Sequence, residues 1–258
     1  MAPGKVVLCT GANQGLGYAV LSVAGLRQPE SIYILASRDL AKGREAAKSL
    51  QESGVKAQID VIQLDVLKDE EIISAVSYVE QKYSKLDILI NNSGIIRIPQ
   101  SRDLAALRST FNEILSTNLT SVGIVTTAFT PLLYKSTDPK VINISSGLGS
   151  CQNSLTKKMG RHPLYGASKI GLNGLSVHLQ VAENDRIEIE GESAKPRIRY
   201  YVCAPGALKT AFSNFRDGLR LPERGAEVIV HLLADDERLY EGGSYWEYEE
   251  GEMRHVPW

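Results

Sequence analysis

The chain has 258 residues, enough for one well-filled core, and its formal net charge is −1. Acids and bases alternate along its helical stretches, which argues against nucleic acid or a membrane as partner. No apolar run reaches the roughly 18 residues of a membrane span, and Met1-Ala-Pro-Gly-Lys5 lacks signal-peptide character, so a cytoplasmic protein is expected.

In chain order, Lys5 to Cys9 predicts a buried strand, and Thr10-Gly11-Ala-Asn13-Gln14-Gly15-Leu16-Gly17 a glycine-rich turn before a helix from Tyr18 to Arg27. At a first strand–helix junction this suits a dinucleotide: glycines let the backbone approach a pyrophosphate, and the helix's first amides favour its charge. The second strand, Ser31 to Ala36, ends in Ser37-Arg38-Asp39, about 20 residues past the glycines, where a fold built for NAD(H) places an acid. Arg38 instead offers planar, charged donors to a 2′-phosphate, which favours NADP(H) over NAD(H). Asp39 reads as the N-cap of a helix from Leu40 to Ser53.

The third strand, Gln58 to Leu64, leads into Asp65-Val66, a carboxylate placed either for an adenine amino group or to cap the helix Glu70 to Tyr83. Strand four, Leu86 to Ile90, ends in Asn91-Asn92-Ser93-Gly94, whose amides can stitch the turn and line a cofactor. Helices Leu104 to Ser116 and Leu119 to Tyr134 flank Asn118, a polar amide that needs a partner. Strand five is Lys140 to Ile144, followed by a loop from Ser145 to Leu164 and a helix from Tyr165 to about Glu183. Strand six, Arg197 to Ala204, runs into Pro205-Gly206 and Thr210. A lid from Ala211 to Leu221, a helix opened by Pro222 and a short strand from Gly243 to Trp246 complete the chain. The charged segment Asn184 to Pro196 receives no assignment. This alternation of strands and helices predicts a parallel sheet covered on both faces, in a single domain over 1–258. Cys9 and Cys203 fall in strands and read as reduced, buried thiols, Cys151 as an idle loop thiol, and no metal site is expected.

The chemistry centres on Tyr165-Gly-Ala-Ser-Lys169. Four residues make about one helical turn, so the phenol and the ammonium share a face, and a nearby cation lowers the pKa of a phenol that otherwise holds its proton to about pH 10. Tyr165 can then act as an acid toward a carbonyl oxygen. The same spacing recurs at Tyr78 and Lys82, read there as a core-edge aromatic and a solvated charge. Tyr165 is distinguished by the small residues around it and by the serine pair Ser145-Ser146 after an apolar strand.

Thr10-Gly11-x-x-x-Gly15-x-Gly17, Asn91-Asn92-x-Gly94, Asn118, Ser146, Tyr165-x-x-x-Lys169 and Pro205-Gly206-x-x-x-Thr210 together resemble the short-chain dehydrogenase/reductase family in order and approximate spacing. The likeness runs from Lys5 to the final strand. Ala36-Ser-Arg38-Asp39, Tyr165-Gly-Ala-Ser-Lys-Ile-Gly and Pro205-Gly-Ala-Leu-Lys-Thr-Ala are similar to the cytosolic carbonyl reductases; a shorter segment before Tyr165 and Gln14 in place of a basic residue depart from them. The resemblance implies an α/β, Rossmann-type doubly wound, mostly parallel seven-stranded sheet with helices on both faces. It also implies Tyr165 as proton donor, Lys169 lowering its pKa and holding ribose hydroxyls, Ser146 on the substrate oxygen, and Asn118 holding a water in a proton relay. The cofactor residues it implies are Gly11, Asn13, Gln14, Gly15, Leu16, Gly17, Arg38, Asp65, Val66, Asn91, Tyr165, Lys169, Pro205, Gly206 and Thr210.

The expected function is reduction of a small-molecule ketone or aldehyde by NADPH, with the substrate walled by loops at about 147–164 and 207–222, and His162 near the pocket mouth. An alcohol dehydrogenase working in oxidation and a non-catalytic NADP(H)-sensing protein are the other readings; a sensor has no need of Asn118, Ser146, Tyr165 and Lys169 together. Hydrolysis by Ser146 lacks a Gly-x-Ser-x-Gly elbow. A monomer and a homo-oligomer both remain open.

Overall fold

The structure is a computed structural model and describes residues 4–157, 162–191 and 194–258. Short runs rich in Val, Ile, Leu and Tyr form β1 (Val6–Thr10), β2 (Ile32–Ser37), β3 (Gln58–Gln63), β4 (Ile88–Asn91), β5 (Lys140–Ile144), β6 (Arg199–Ala204) and β7 (Ser244–Glu249), with β8 (Glu252–His255) after them. The sheet order is β3-β2-β1-β4-β5-β6-β7-β8. Every pairing is parallel except β7 with β8.

Strands buried on both faces send alternate side chains to opposite layers. Val7 and Cys9 of β1 point to one layer with Tyr33, Leu35, Ile88, Ile90, Ile142 and Tyr201. That layer is covered by α1 (Gly15–Arg27), α2 (Leu40–Glu52) and α8 (Pro222–Ala234). Val6 and Leu8 point to the other, with Ile34, Leu89, Val141 and Tyr200. Ile72, Ala75 and Val79 of α3 (Asp69–Tyr83) and Val125, Phe129 and Leu132 of α5 (Ser121–Leu133) close that side. Strand order reverses between β1 and β4, so a crevice opens at their carboxyl ends, the place where open α/β sheets bind ligands.

The amino ends of β5 and β6 are held differently. Arg199 donates to Asp235 (2.8 Å) and to both oxygens of Asp138 (3.0 and 2.8 Å), while buried Lys140 donates to the carbonyls of Asp235 (2.7 Å) and Leu233 (3.2 Å). Asp235 also accepts from the Leu239 amide at 2.7 Å, so one fully buried carboxyl joins β6 to the end of α8.

Several boundaries differ from expectation. The sheet has eight strands, not seven, because Glu250 and Gly251 both take positive φ (53° and 90°) and turn β8 back on β7. The segment after Ser146 is not a plain loop: a turn of 3-10 helix (Gly147–Gly149) precedes α6 (Cys151–Thr156), whose first turn is capped by Ser150 accepting from Asn153 at 3.0 Å. The continuation of that loop, 158–161, lies outside the described residues, as do 192 and 193 of the charged segment. The helix bearing Tyr165, α7 (Pro163–Glu190), runs past Glu183 because Arg186 pairs with Glu183 (2.8 Å) and Glu190 (2.9 Å) and lies 4.6 Å over the Tyr134 ring. Lys82 is exposed, as a solvated charge would be, but it is also paired: with the Tyr78 hydroxyl (3.0 Å) it converges on Asp60, at 2.5 Å from the lysine, and that carboxylate also accepts from Tyr83. Among the described residues no helix is long and apolar enough to cross a membrane.

Candidate active site

The β1 turn is built for close approach. Gly11 and Gly15 have φ of 63° and 59°, conformations that side chains with a Cβ resist. A Cβ on Gly17 would lie 2.6 Å from the Asn92 amide nitrogen and 2.8 Å from the Ala12 Cα, so glycine is required for α1 to start here. Asn92 stitches the turn to β4, donating to the Thr10 carbonyl (2.8 Å) and the Gly11 carbonyl (3.1 Å) while its own amide donates to Thr10 Oγ1 at 3.0 Å. Gln14 is the exposed N-cap of α1 and makes no side-chain cap bond. Asn13 and Leu16 are half-buried beside it. Across the turn a Cβ on Gly15 would meet only the Thr210 side chain, at 3.6 Å, and a cavity of about 230 Å³ lies between Gln14, Gly15, Tyr18, Thr210 and Ala211. Pro205 is half-buried and Gly206 exposed, with φ of 82°.

Arg38 follows β2, exposed, with no hydrogen bond or ion pair to any described residue. Asp39 caps α2, accepting from the Lys42 amide at 3.1 Å. Asp65 does not cap α3. Its carboxylate accepts from the Leu67 amide (3.1 Å) while Lys68 occupies the N-cap position, and Val66 is buried in the core. Asn91, expected to reach the cofactor, has its side chain inside the sheet, donating to Thr126 (3.0 Å) and Asn143 (2.8 Å). Asn92 is the amide that meets the glycine turn.

Tyr165, Ser146, Lys169 and Asn118 converge where β4, β5 and α7 meet. Pro163 at the first turn sets α7, so Tyr165 and Lys169 fall one turn apart on its buried face. The Lys169 Nζ donates to the Ile144 carbonyl at 2.7 Å and stands 5.7 Å from the Tyr165 ring centroid. Gly94 fits beneath them: a Cβ there would lie 3.3 Å from Asn118 Oδ1 and 3.8 Å from Lys169 Nζ. Ser145 faces the interior, donating to Asn173 at 2.6 Å, and leaves the Ser146 hydroxyl, which accepts from the Leu148 amide at 3.3 Å, on the side of the Tyr165 phenol.

Burial sets the protonation of both groups. It pushes the Tyr165 phenol up to about 12, against the pull of the Ser146 hydrogen bond, and brings the Lys169 ammonium down to about 8, with Cys203 acting weakly the other way. The expectation that Lys169 lowers the pKa of Tyr165 is therefore not met in this state. The amine is turned to a backbone carbonyl rather than to the phenol oxygen, and desolvation governs the tyrosine.

Asn118 is held by the chain through its side chain. It sits in a π-helical turn (Ser116–Thr120) between α4 (Leu104–Leu115) and α5, fully buried. Its Nδ2 donates to the Ile95 carbonyl (2.9 Å) and Ser168 Oγ (3.0 Å), and its Oδ1 accepts from the Ile95 amide (2.8 Å). Both amide hydrogens are thus committed, and a water held here would donate to an oxygen of Asn118. The side chain fixes the strand-end loop against α7, and the widened turn is the kind of irregularity that marks functional sites.

Sequence reasoning passed over four participants. Ser168 ties Asn118 to the Tyr165 carbonyl at 2.7 Å. Asn173 donates to the Gly149 carbonyl at 3.0 Å. Tyr245 donates to the Ser146 carbonyl, and Phe212 meets the Tyr165 ring edge-on at 5.8 Å. A signal existed for the first two: Tyr165, Ser168, Lys169, Asn173, Ser176 and Gln180 are buried at helical spacing, a polar stripe that a structural helix has no reason to hide. No sequence pattern points to Tyr245 or Phe212.

On the outer side of Tyr165 a larger cavity, about 480 Å³, is bounded by residues 97–102, Leu107 and His162 to Tyr165. His162, exposed, is one of its lining residues.

The sequence model for short chain dehydrogenases matches residues 5–217. A short-chain dehydrogenase/reductase of Aspergillus fumigatus is 52% identical over 98% of this chain and 97% of its own length. Carbonyl reductase [NADPH] 3 of Mus musculus is 27% identical over 88% of this chain and 90% of its own. Among solved structures, the NADPH-bound carbonyl reductase from chicken fatty liver superposes with a TM-score of 0.78 at 21% identity, covering 99% of both chains.

Proposed function

The chain belongs to the short-chain dehydrogenase family of oxidoreductases, and we propose that it reduces a ketone or aldehyde to an alcohol, with NADPH as donor and Tyr165 as acid. The observation that carries this reading is the buried Tyr165 phenol with the Ser146 hydroxyl beside it and the Lys169 Nζ one helical turn away, 5.7 Å from its ring. A phenol held near 12 keeps its proton at neutral pH, the form a reductase needs.

A bound nicotinamide nucleotide supplies the hydride, and the residues present suit it. Gly15 leaves the backbone at the start of α1 open toward a cavity that Thr210 faces, Gly11 and Gly17 let the turn close against Ser93, Asn92 and Ala12, and unpaired Arg38 stands where a 2′-phosphate is recognised. The rest falls to the chain. Ser146 holds the substrate oxygen and Tyr165 gives it a proton, so the carbonyl gains hydrogen on carbon and on oxygen while the nicotinamide leaves oxidised. Lys169 supplies positive charge beside the phenol as that proton departs. The NADPH-bound chicken structure and the NADPH-named mouse relative support the choice of cofactor, and the intact tetrad weighs against a sensor without catalysis.

The test is NADPH oxidation against a panel of ketones, quinones and aldehydes, with NADH alongside. Turnover with NADPH establishes the reaction; tight NADPH binding with no turnover in either direction returns the sensor reading. Arg38→Gln is expected to weaken NADPH binding by about tenfold or more while leaving NADH nearly unchanged, the size of a lost charged hydrogen bond. Fluorescence titration of both nucleotides reads it, and an equal loss for both would remove Arg38 from 2′-phosphate recognition.

A further inference from the structure

The cavity outside Tyr165 has a charge the reductase reading leaves unused. Ile98, Leu107, Pro163 and Leu164 give it apolar walls, and its charged side chains include Arg97 and Arg102, both exposed at the rim. Neither forms an ion pair with a described residue. The hydrogen bond Arg97 makes is to the carbonyl of its neighbour Ile96, at 3.0 Å. Elsewhere on the surface arginines are neutralised where acids are at hand, as Arg27 is by Glu227 (2.7 Å) and Arg220 by Glu249 (2.6 Å).

No acid is among the residues that line the cavity. From Ile88 to Arg102, and again from Pro139 to Ala182, the sequence contains no Asp or Glu, and these two stretches supply every lining residue except Leu107. Asp103, next along the chain, is committed to α4: one oxygen accepts from the Ala106 amide at 2.8 Å and the other from the Ser101 hydroxyl. A cleft with apolar walls and one sign of charge focuses its field outward and draws in the opposite charge.

We propose that the substrate is an anionic carbonyl compound: an apolar body carrying the reducible group toward Tyr165 and an oxyanion, carboxylate or phosphate, held at the rim by Arg97 and Arg102. A cavity of about 480 Å³ is of the size that encloses a small organic ligand. Guanidinium forks match either oxyanion in bidentate geometry. This rests on the reductase reading above and narrows it to a substrate class.

The experiment compares 4-formylbenzoate, its neutral methyl ester and 4-formylphenyl phosphate as substrates with NADPH, in the wild type, Arg97→Gln/Arg102→Gln, and Arg102→Lys. The wild type is expected to favour an anion over the ester by about tenfold or more in kcat/KM, through KM, as a charge-assisted hydrogen bond would give. That ratio should collapse toward one in the double variant and survive in part in Arg102→Lys. Whichever anion gains more identifies the oxyanion. If the double variant fails to fold, the wild type in about 0.5 M NaCl should show a raised KM for the anions and not for the ester. A wild-type ratio near one, or an anion preference that outlasts both substitutions, overturns the proposal while leaving the reductase intact. Bound NADPH with no aldehyde consumed at all brings down the reductase reading, and this proposal with it.

Discussion

Replacing Tyr165 by Phe is expected to cut kcat for carbonyl reduction about a thousandfold, within the roughly 10²–10⁴ typical of a positioned proton donor, while NADPH binding changes little. The phenyl ring would still meet Phe212 and the buried face of α7, so the fold loses only one hydroxyl, the one beside Ser146. Circular dichroism and a nucleotide titration separate this from misfolding. A drop below about tenfold would mean the proton comes from elsewhere.

The pH profile gives an independent reading of the same pair. Tyr165 is needed protonated and remains so up to about 12, so it sets no limit in the working range. Lys169 is needed charged, and burial has brought it down to about 8. The sign follows: kcat/KM for reduction, which reports the free enzyme, is flat below about pH 8 and falls above it as the ammonium loses its proton. In Lys169→Met the whole profile should drop and the break near 8 vanish. A wild-type profile that rises through pH 8 would contradict the role given to the lysine charge.

How far such a site can be read from sequence depends on how local its physics is. The glycine turn, the Asp39 cap and the placement of β5 depend on residues within a few positions of one another, and the fold follows them closely. Asn91, Asn118 and Lys169 show the limit. The sequence suggests a use for each at the site, yet the partners their side chains meet come from distant segments: Thr126 and Asn143 for Asn91, Ile95 and Ser168 for Asn118, the Ile144 carbonyl for Lys169. A spacing rule sees which side chains share a face and not which acceptor lies opposite. The eighth strand was missed for another reason. Glu252 to His255 is polar and largely exposed, held by a hairpin turn with Glu where Asn is usual, so neither alternation nor turn chemistry announces it.

The same separation of ends predicts that stability and catalysis can be uncoupled. The reacting groups lie at the carboxyl ends of β1, β4 and β5, whereas Asp235 holds the amino end of β6 through Arg199, a sheet's thickness away along the strands. Its side chain is fully buried and accepts from Arg199 and from the Leu239 amide, so truncation leaves that amide without its acceptor and the buried guanidinium with Asp138 as its one remaining carboxylate, its Nε already having no partner among the described residues. Asp235→Ala is expected to cost roughly 3–5 kcal/mol, the range for removing one partner of a buried ion pair. For a chain of this length that lowers Tm by on the order of 10 °C. Asp235→Asn keeps an acceptor and should cost less. At 25 °C, where the variant is still folded, kcat should match the wild type, because no contact of Asp235 reaches Ser146, Tyr165 or Lys169. Thermal unfolding beside steady-state rates decides it. A loss of kcat in proportion to the loss of Tm would show that the two ends of the sheet are mechanically coupled, and that the catalytic geometry depends on the charge network beneath it.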